Sequence, residues 1–216
     1  MIKGFVHEEG ATYDYPNHAW NSVLIDGKWR LLDVTWGGLY YQTALQANAA
    51  NPLNHLTAYF LPDPKSLVFS HLPEDPYWQL QPGLITLRDF MAGENSIKAS
   101  LSNSPMAAID FESLIASEEK LDSLDREINF LTRMVNNQHN GSREYALAIT
   151  YYYKAQQTLE KAESSNGVEE QKLKLLAREY YQNALAQLEL LDENDYEFEF
   201  SLDFAVNVNQ RMSQLQ

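Results

Sequence analysis

An α+β segment followed by an all-α segment is the fold class that the sequence predicts, and three observations carry it. All four Trp, all eight Pro and seven of the nine Gly precede residue 106. The early part holds a hairpin pattern, HAWNSVLIDGKWRLLDVTW. From about residue 110 onward apolar residues recur at helical spacing. This change predicts a first domain over 1–92 and a linker over 93–110 that contains GENSIKASLSNSP (93–105). A helical bundle over 111–194 and a tail over 195–216 complete the chain.

The first domain begins with a short strand over Ile2–His7 and a turn at 14–17 that carries Pro16. Strands over 18–25 and 28–36 flank Asp26–Gly27. Asp-Gly between apolar runs suits a type I′ turn, which needs positive φ at both central residues. With Ile25 opposite Lys28, the register sets Trp20 opposite Asp33 and His18 opposite Thr35. Alternation then puts His18, Trp20, Leu31, Asp33 and Thr35 on one face. The Asn-rich stretch QTALQANAANPLNHLTAYFL reads as a loop leading to a strand near 57–61.

In the second segment a helix over 111–137 carries Leu114, Leu121, Leu124, Ile128, Leu131 and Val135 on one stripe. A second helix spans roughly 143–164, with Ser142 as its expected cap, and a third runs from the SSNG break to about 192. TYYYKAQQTL (150–159) and EYYQNALAQL (179–188) match at both central Tyr, at Ala155/Ala184 and at Leu159/Leu188. That match suits a tetratricopeptide-like pair or a plain antiparallel bundle. The tail YEFEFSLDFAVNV alternates apolar and polar residues, which predicts a strand.

The formal charge of −14 disfavours nucleic acid as a partner, because phosphates would be repelled. Residues 1–100 carry 6 basic and 10 acidic groups; the rest carry 10 and 20, so the helical half is the more acidic. No apolar run reaches the length of a membrane span. The chain has no cysteine, hence no disulfide, thiolate metal site or thiol nucleophile of its own, and nothing in its redox chemistry assigns a compartment.

His18 and Asp33 are the candidate catalytic residues. On the expected hairpin they are diagonal cross-strand neighbours, ~7–8 Å apart along the backbone, a gap that imidazole and carboxylate together bridge. Such a pair is the base-and-orienter half of a Cys/His/Asp system: the carboxylate fixes the imidazole, and the imidazole takes the nucleophile's proton. The alternative is a structural hydrogen bond. Trp20, on the same face, is the candidate substrate-binding residue. Ser22 shares the parity but lies beyond Trp20 toward the turn, a poor position for attack.

NHAWNSVLIDGKWRLLDVTWG resembles the His-strand and Asp-strand signature of the transglutaminase-like superfamily, which has a papain-type Cys/His/Asp triad. On that likeness His18 matches the histidine and Asp33 the aspartate. IKGFV resembles the strand before the histidine. YFLPDPKSLVFSHLPEDPYWQLQPGLITLRDF (59–90) resembles the segment after the core in kyphoscoliosis-peptidase-like members. The resemblance implies that 1–92 is the C-terminal portion of a transglutaminase-like antiparallel sheet domain. It also implies thiol-dependent acyl transfer or hydrolysis of peptide or glutamine amides, with a protein or peptide as substrate.

In that family the cysteine opens a helix upstream of the first strand, and Met1 stands downstream of that point. These 216 residues are therefore expected to be inactive alone. Loss of the upstream helix is expected to uncover apolar surface near Trp20 and Leu31, favouring self-association or a cover from the helical half. The rival reading is a non-catalytic scaffold whose helical half binds a protein.

Other motifs point to no cofactor. HEEG (7–10) lacks the second histidine of a zinc helix, and His7, His55, His71 and His139 show no ligand spacing, so no metal site is expected. HLPEDP (71–76) reads either as a second polar site or as a loop with a local hydrogen bond. WGG follows a strand with no phosphate-binding helix in view.

Overall fold

A computed structural model describes residues 1–7, 13–46, 58–103, 110–137 and 140–215. The chain divides into two compact units, Met1–Glu118 and Glu119–Gln216. The expected boundary lay farther upstream, in a linker over 93–110. Instead residues 94–102 form a helix, and the division falls between Glu118 and Glu119.

Unit one is mixed α+β around a four-stranded antiparallel sheet. Its strands are β1 (Ile2–Val6), β2 (His18–Ile25), β3 (Lys28–Leu32) and β4 (His71–Pro73), in spatial order β3-β2-β1-β4. β2 and β3 pair from Ile25↔Lys28 to Asn21↔Leu32, the register expected from the sequence. Asp26 at φ 50° and Gly27 at φ 72° make the turn, so both central residues take the positive φ that Asp-Gly allows.

The second hairpin strand is shorter than expected. It stops at Leu32, and α1 (Val34–Gln46) begins one residue after Asp33, so Thr35 and Trp36 are helical rather than extended. The local cause is capping: Asp33 Oδ1 accepts the Trp36 N–H at 2.9 Å. The expected loop after 42 thus starts as helix, and the strand near 57–61 falls partly outside the described residues. Within it, Phe60 makes one antiparallel bridge to Leu32.

Among the described residues of this unit, short α-helices follow at α2 (Pro64–Leu67), α3 (Leu87–Ala92), α4 (Glu94–Ser102) and α5 (Phe111–Glu118), with a 3₁₀ turn at Pro76–Gln79. Thr86 and Asp89 form a reciprocal capping box at the start of α3. Phe5, Leu72, Ile85, Leu87, Phe90 and Ile97 form one core, and Ile2, Trp20, Leu31 and Leu67 form a second under the hairpin. Trp20 and Leu31 are each 2% exposed, so the surface expected to be bare is covered, with Tyr59, Trp78 and Leu80 packed against it. At Gly4 an added Cβ would strike the Leu72 carbonyl oxygen and the Trp20 ring, so only glycine lets Trp20 lie across β1.

Unit two is helical: α6 (Ser123–Asn137), α7 (Gly141–Glu163), α8 (Gly167–Leu188) and α9 (Phe198–Ser213). The single helix expected over 111–137 is broken because Asp122 caps α6, accepting the Asp125 N–H at 2.9 Å. Ser142 lies inside α7 rather than capping it, and its hydroxyl donates to Glu197 at 2.5 Å. The matched positions of α7 and α8 do meet. Ala155 and Ala184 are fully buried, and Tyr151 stacks on Tyr180 with ring centres 6.3 Å apart. The tail is not a strand. Phe204, Ala205, Val208 and Met212 also fall at helical spacing and pack on the α7–α8 core, while Phe200, Leu202 and Val206 stay exposed. Burying one helical stripe outweighs the strand-like alternation. No described helix is long and apolar enough to cross a membrane.

Candidate active site

Three elements of unit one converge on the Asp33 carboxylate. β2 supplies His18, whose entry into the sheet is fixed by Asn17. The Asn17 side chain accepts the Val6 N–H at 2.8 Å and donates to the Val6 carbonyl at 2.9 Å, continuing the β1–β2 pairing by one residue. The β3–α1 junction supplies Asp33, whose own N–H donates to the Tyr59 carbonyl at 2.8 Å. β4 supplies His71, placed by the pairing Val6↔His71.

His18 Nε2 lies 2.5 Å from Asp33 Oδ2, and His71 Nε2 lies 3.0 Å from the same oxygen. The Asp33 and His71 side chains are 1% and 0% exposed, against 14% for His18. Burial pushes the Asp33 carboxyl up, but the Trp36 N–H and the two imidazoles outweigh it and hold the group below its ordinary value. Burial also lowers the His71 imidazole, opposed in part by Asp33 and reinforced by the charge of His18, down to about 4.

An ionised carboxylate only accepts, so both Nε2 atoms donate. Neutral His71 then keeps a lone pair on Nδ1, and the Ser70 hydroxyl lies 2.8 Å from it. His18 has its Nδ1 left over, the ring atom a base needs for taking a nucleophile's proton. Aromatic rings pack the cluster. Trp36 is 5.9 Å from His18 and 4.8 Å from His71, and Trp20 is 6.1 Å and 5.1 Å from them. Trp20 is thus a buried wall beside both rings. Among the described residues its indole N–H has no hydrogen-bond partner.

The two Nε2 atoms and Oδ2 lie within 4.8 Å of one another, a spacing one divalent ion could span. With the Asp33 carboxylate ionised and both Nε2 atoms protonated, the same geometry makes two hydrogen bonds. His7 is elsewhere, stacked on Phe90 at 4.0 Å and 2.9 Å from the Tyr13 hydroxyl. His55 and His139 lie outside the described residues.

The sequence reading joined His18 to Asp33 and missed His71. The HLPEDP stretch is no isolated loop: His71 opens a buried strand and is hydrogen-bonded to a residue 38 positions away. The one local signal was His-Leu-Pro entering a wholly buried triplet, which does not say what the histidine meets.

The chain is similar to known proteins over part of its length. The chain is 33% identical over 96 residues to the kyphoscoliosis peptidase of Mus musculus, covering 44% of this chain and 14% of that protein. It is 34% identical over 89 residues to the Homo sapiens kyphoscoliosis peptidase, covering 41% and 13%. It is 29% identical over 102 residues to the Lim and transglutaminase domain protein ltd-1 of Caenorhabditis elegans, covering 42% and 14%. The chain therefore spans less than a sixth of the length of these relatives. No protein-family model matches it, and no solved structure does. Over about two fifths of its own length the chain is a distant relative of kyphoscoliosis peptidases and of a transglutaminase-domain protein, and the relationship is transglutaminase-like.

Proposed function

We propose that unit one carries the base-and-carboxylate half of a thiol-dependent acyl-transfer or peptidase site acting on peptide or glutamine amides. His18 is the general base and Asp33 its orienter. The observation that carries this reading is the 2.5 Å contact between His18 Nε2 and Asp33 Oδ2, which leaves Nδ1 for the nucleophile. In the reaction a thiol gives its proton to His18 Nδ1 and attacks the amide carbon. His18 returns the proton to the leaving amine, and water or an amine then releases the acyl group. Asp33 stabilises the imidazolium formed between the two steps. Trp20 contributes here by walling the imidazole, with any contact to substrate arising only if the site opens.

The 216 residues contain no cysteine, so this reading puts the thiol outside them. The same fact favours a second reading, a non-catalytic scaffold that binds a protein partner. A longer chain with an upstream cysteine-bearing helix separates the two. It is expected to gain iodoacetamide-sensitive amidase or amine-incorporation activity, and His18→Ala is expected to remove roughly 10³-fold or more of the rate. An unchanged rate in a folded His18→Ala variant leaves the scaffold reading.

A further inference from the structure

We propose that His71 is a positioning residue of this site, its Nε2–H sharing Asp33 Oδ2 with His18 so that one buried imidazole fixes the carboxylate that orients the other. The inference rests on the reading of His18 as base and Asp33 as orienter.

Three donors from three elements hold the carboxylate: Trp36 N–H on Oδ1, and His18 and His71 on Oδ2. His18 is partly exposed and moves through its own protonation cycle, so it is a poor anchor for the group that must orient it. His71 is the opposite. Its ring is fully buried and bounded by Trp20, Trp36 and Tyr59 at 5.1, 4.8 and 5.5 Å, and its far nitrogen lies 2.8 Å from Ser70 Oγ, which also reaches the Leu67 carbonyl at 3.2 Å. A carboxylate pinned by such a ring has no freedom to swing away when His18 changes charge.

The choice of histidine over a cation also matters. A buried carboxylate needs donors to remain ionised. Arginine or lysine at this place would supply them, but its positive charge would oppose the imidazolium on His18. Neutral His71 gives one strong hydrogen bond and no competing charge. His71 and His18 thus converge as donors on one oxygen of Asp33, with Ser70 beside the far nitrogen of His71.

The test is NMR on the full chain with ¹⁵N-labelled histidine. At pH 7 the wild-type His71 is expected neutral, protonated on Nε2 and bare on Nδ1. The His18 Nε2 proton is expected as a low-field, slowly exchanging signal. In His71→Phe that signal should vanish, and the Asp33 carboxyl should gain about tenfold or more in proton affinity. His71→Gln, whose amide nitrogen reaches the same place, should restore both. A purely space-filling His71 would lower the melting temperature without moving either signature.

A folded His71→Phe with both signatures intact overturns the proposal. So does a wild-type His71 that is charged, or protonated on Nδ1 alone, at pH 7. If His71→Phe does not fold, the wild-type tautomer and the folded His71→Gln decide: both signatures in the Gln variant support the proposal, and their loss overturns it. Failure of the catalytic reading would show separately, as thiol-dependent rates indifferent to His18→Ala with these spectra unchanged.

Discussion

Asp33 accepts the Trp36 N–H on Oδ1 at 2.9 Å while its Oδ2 accepts His18 Nε2 at 2.5 Å, so one carboxylate both starts α1 and orients the candidate base. The end of β3, the start of α1 and the geometry of the site are therefore a single event. A change at Asp33 reaches all three.

Asp33→Ala should accordingly destabilise unit one more than an ordinary cap deletion. Loss of the cap costs about 1 kcal/mol. Leaving the buried His71 Nε2–H without its acceptor adds roughly 1–3 kcal/mol. Asp33→Asn keeps a capping oxygen and should cost less. All four Trp lie in unit one, so tryptophan fluorescence during urea unfolding follows that unit specifically. An Asp33→Ala midpoint equal to that of the wild type would remove the structural role assigned to the carboxylate.

The His71 imidazole gives unit one a pH dependence of definite sign. Its value is about 4 in the folded chain and about 6.5 in the unfolded one, so the unfolded state binds the proton more readily. The stability tied to neutral His71 is complete above pH 6.5 and is lost as pH falls from there toward 4. The full effect is roughly 3 kcal/mol. His7 is lowered by burial too and acts in the same direction, but it is exposed and contributes less. Asp33 is held low, so its own contribution is lost only at more acid pH. Tryptophan-monitored unfolding between pH 7 and 4 should show the slope, and His71→Phe should flatten it. An equally steep slope in that variant would assign the dependence to other groups.

What was legible in the sequence was local. Asp26–Gly27 encodes its own turn, the turn sets the register, and the register carries His18 to within reach of Asp33. The exit from the hairpin was less legible. Val34, Thr35 and Trp36 are strand-prone residues, and a single side-chain cap on Trp36 N–H turns them into helix. His71 was illegible for a different reason: only the antiparallel pairing of β1 with β4 brings it to the site, and no local pattern records that pairing. The tail fits two periods at once, and the buried Val208 and its stripe decide for helix.

Gly4→Ala should be disproportionately costly for a one-carbon change. The added Cβ meets a backbone carbonyl on β4 and the Trp20 ring, neither of which moves without disturbing the sheet or the wall beside His71. Overpacking of this kind costs typically about 1–3 kcal/mol. The expected readout is a lowered urea midpoint together with a shifted Trp emission. Wild-type values for both would mean that Trp20 is not held against β1 as described.

Lys154 offers a comparable test in unit two. Its ammonium is 2.7 Å from Asp122 Oδ2 and 2.7 Å from Asp125 Oδ1, and the Lys154 side chain is only 6% exposed. Asp122 also caps α6, so Lys154 ties the cap of one helix to the middle of α7. Lys154→Ala would leave the two acids facing each other and a void beside α6. Lys154→Met would keep the packing and remove only the charge. The carboxylates are more than a third exposed, which screens the ion pairs, so the charge itself is worth about 1 kcal/mol or less. Most of the loss in the Ala variant should therefore come from packing. The expected order of stability by far-UV circular dichroism is wild type, then Met, then Ala, with unit-one Trp fluorescence unchanged. High salt should narrow the gap between wild type and Met and leave the gap between Met and Ala. If Met and Ala are equally destabilised and salt erases both losses, charge rather than packing holds this junction.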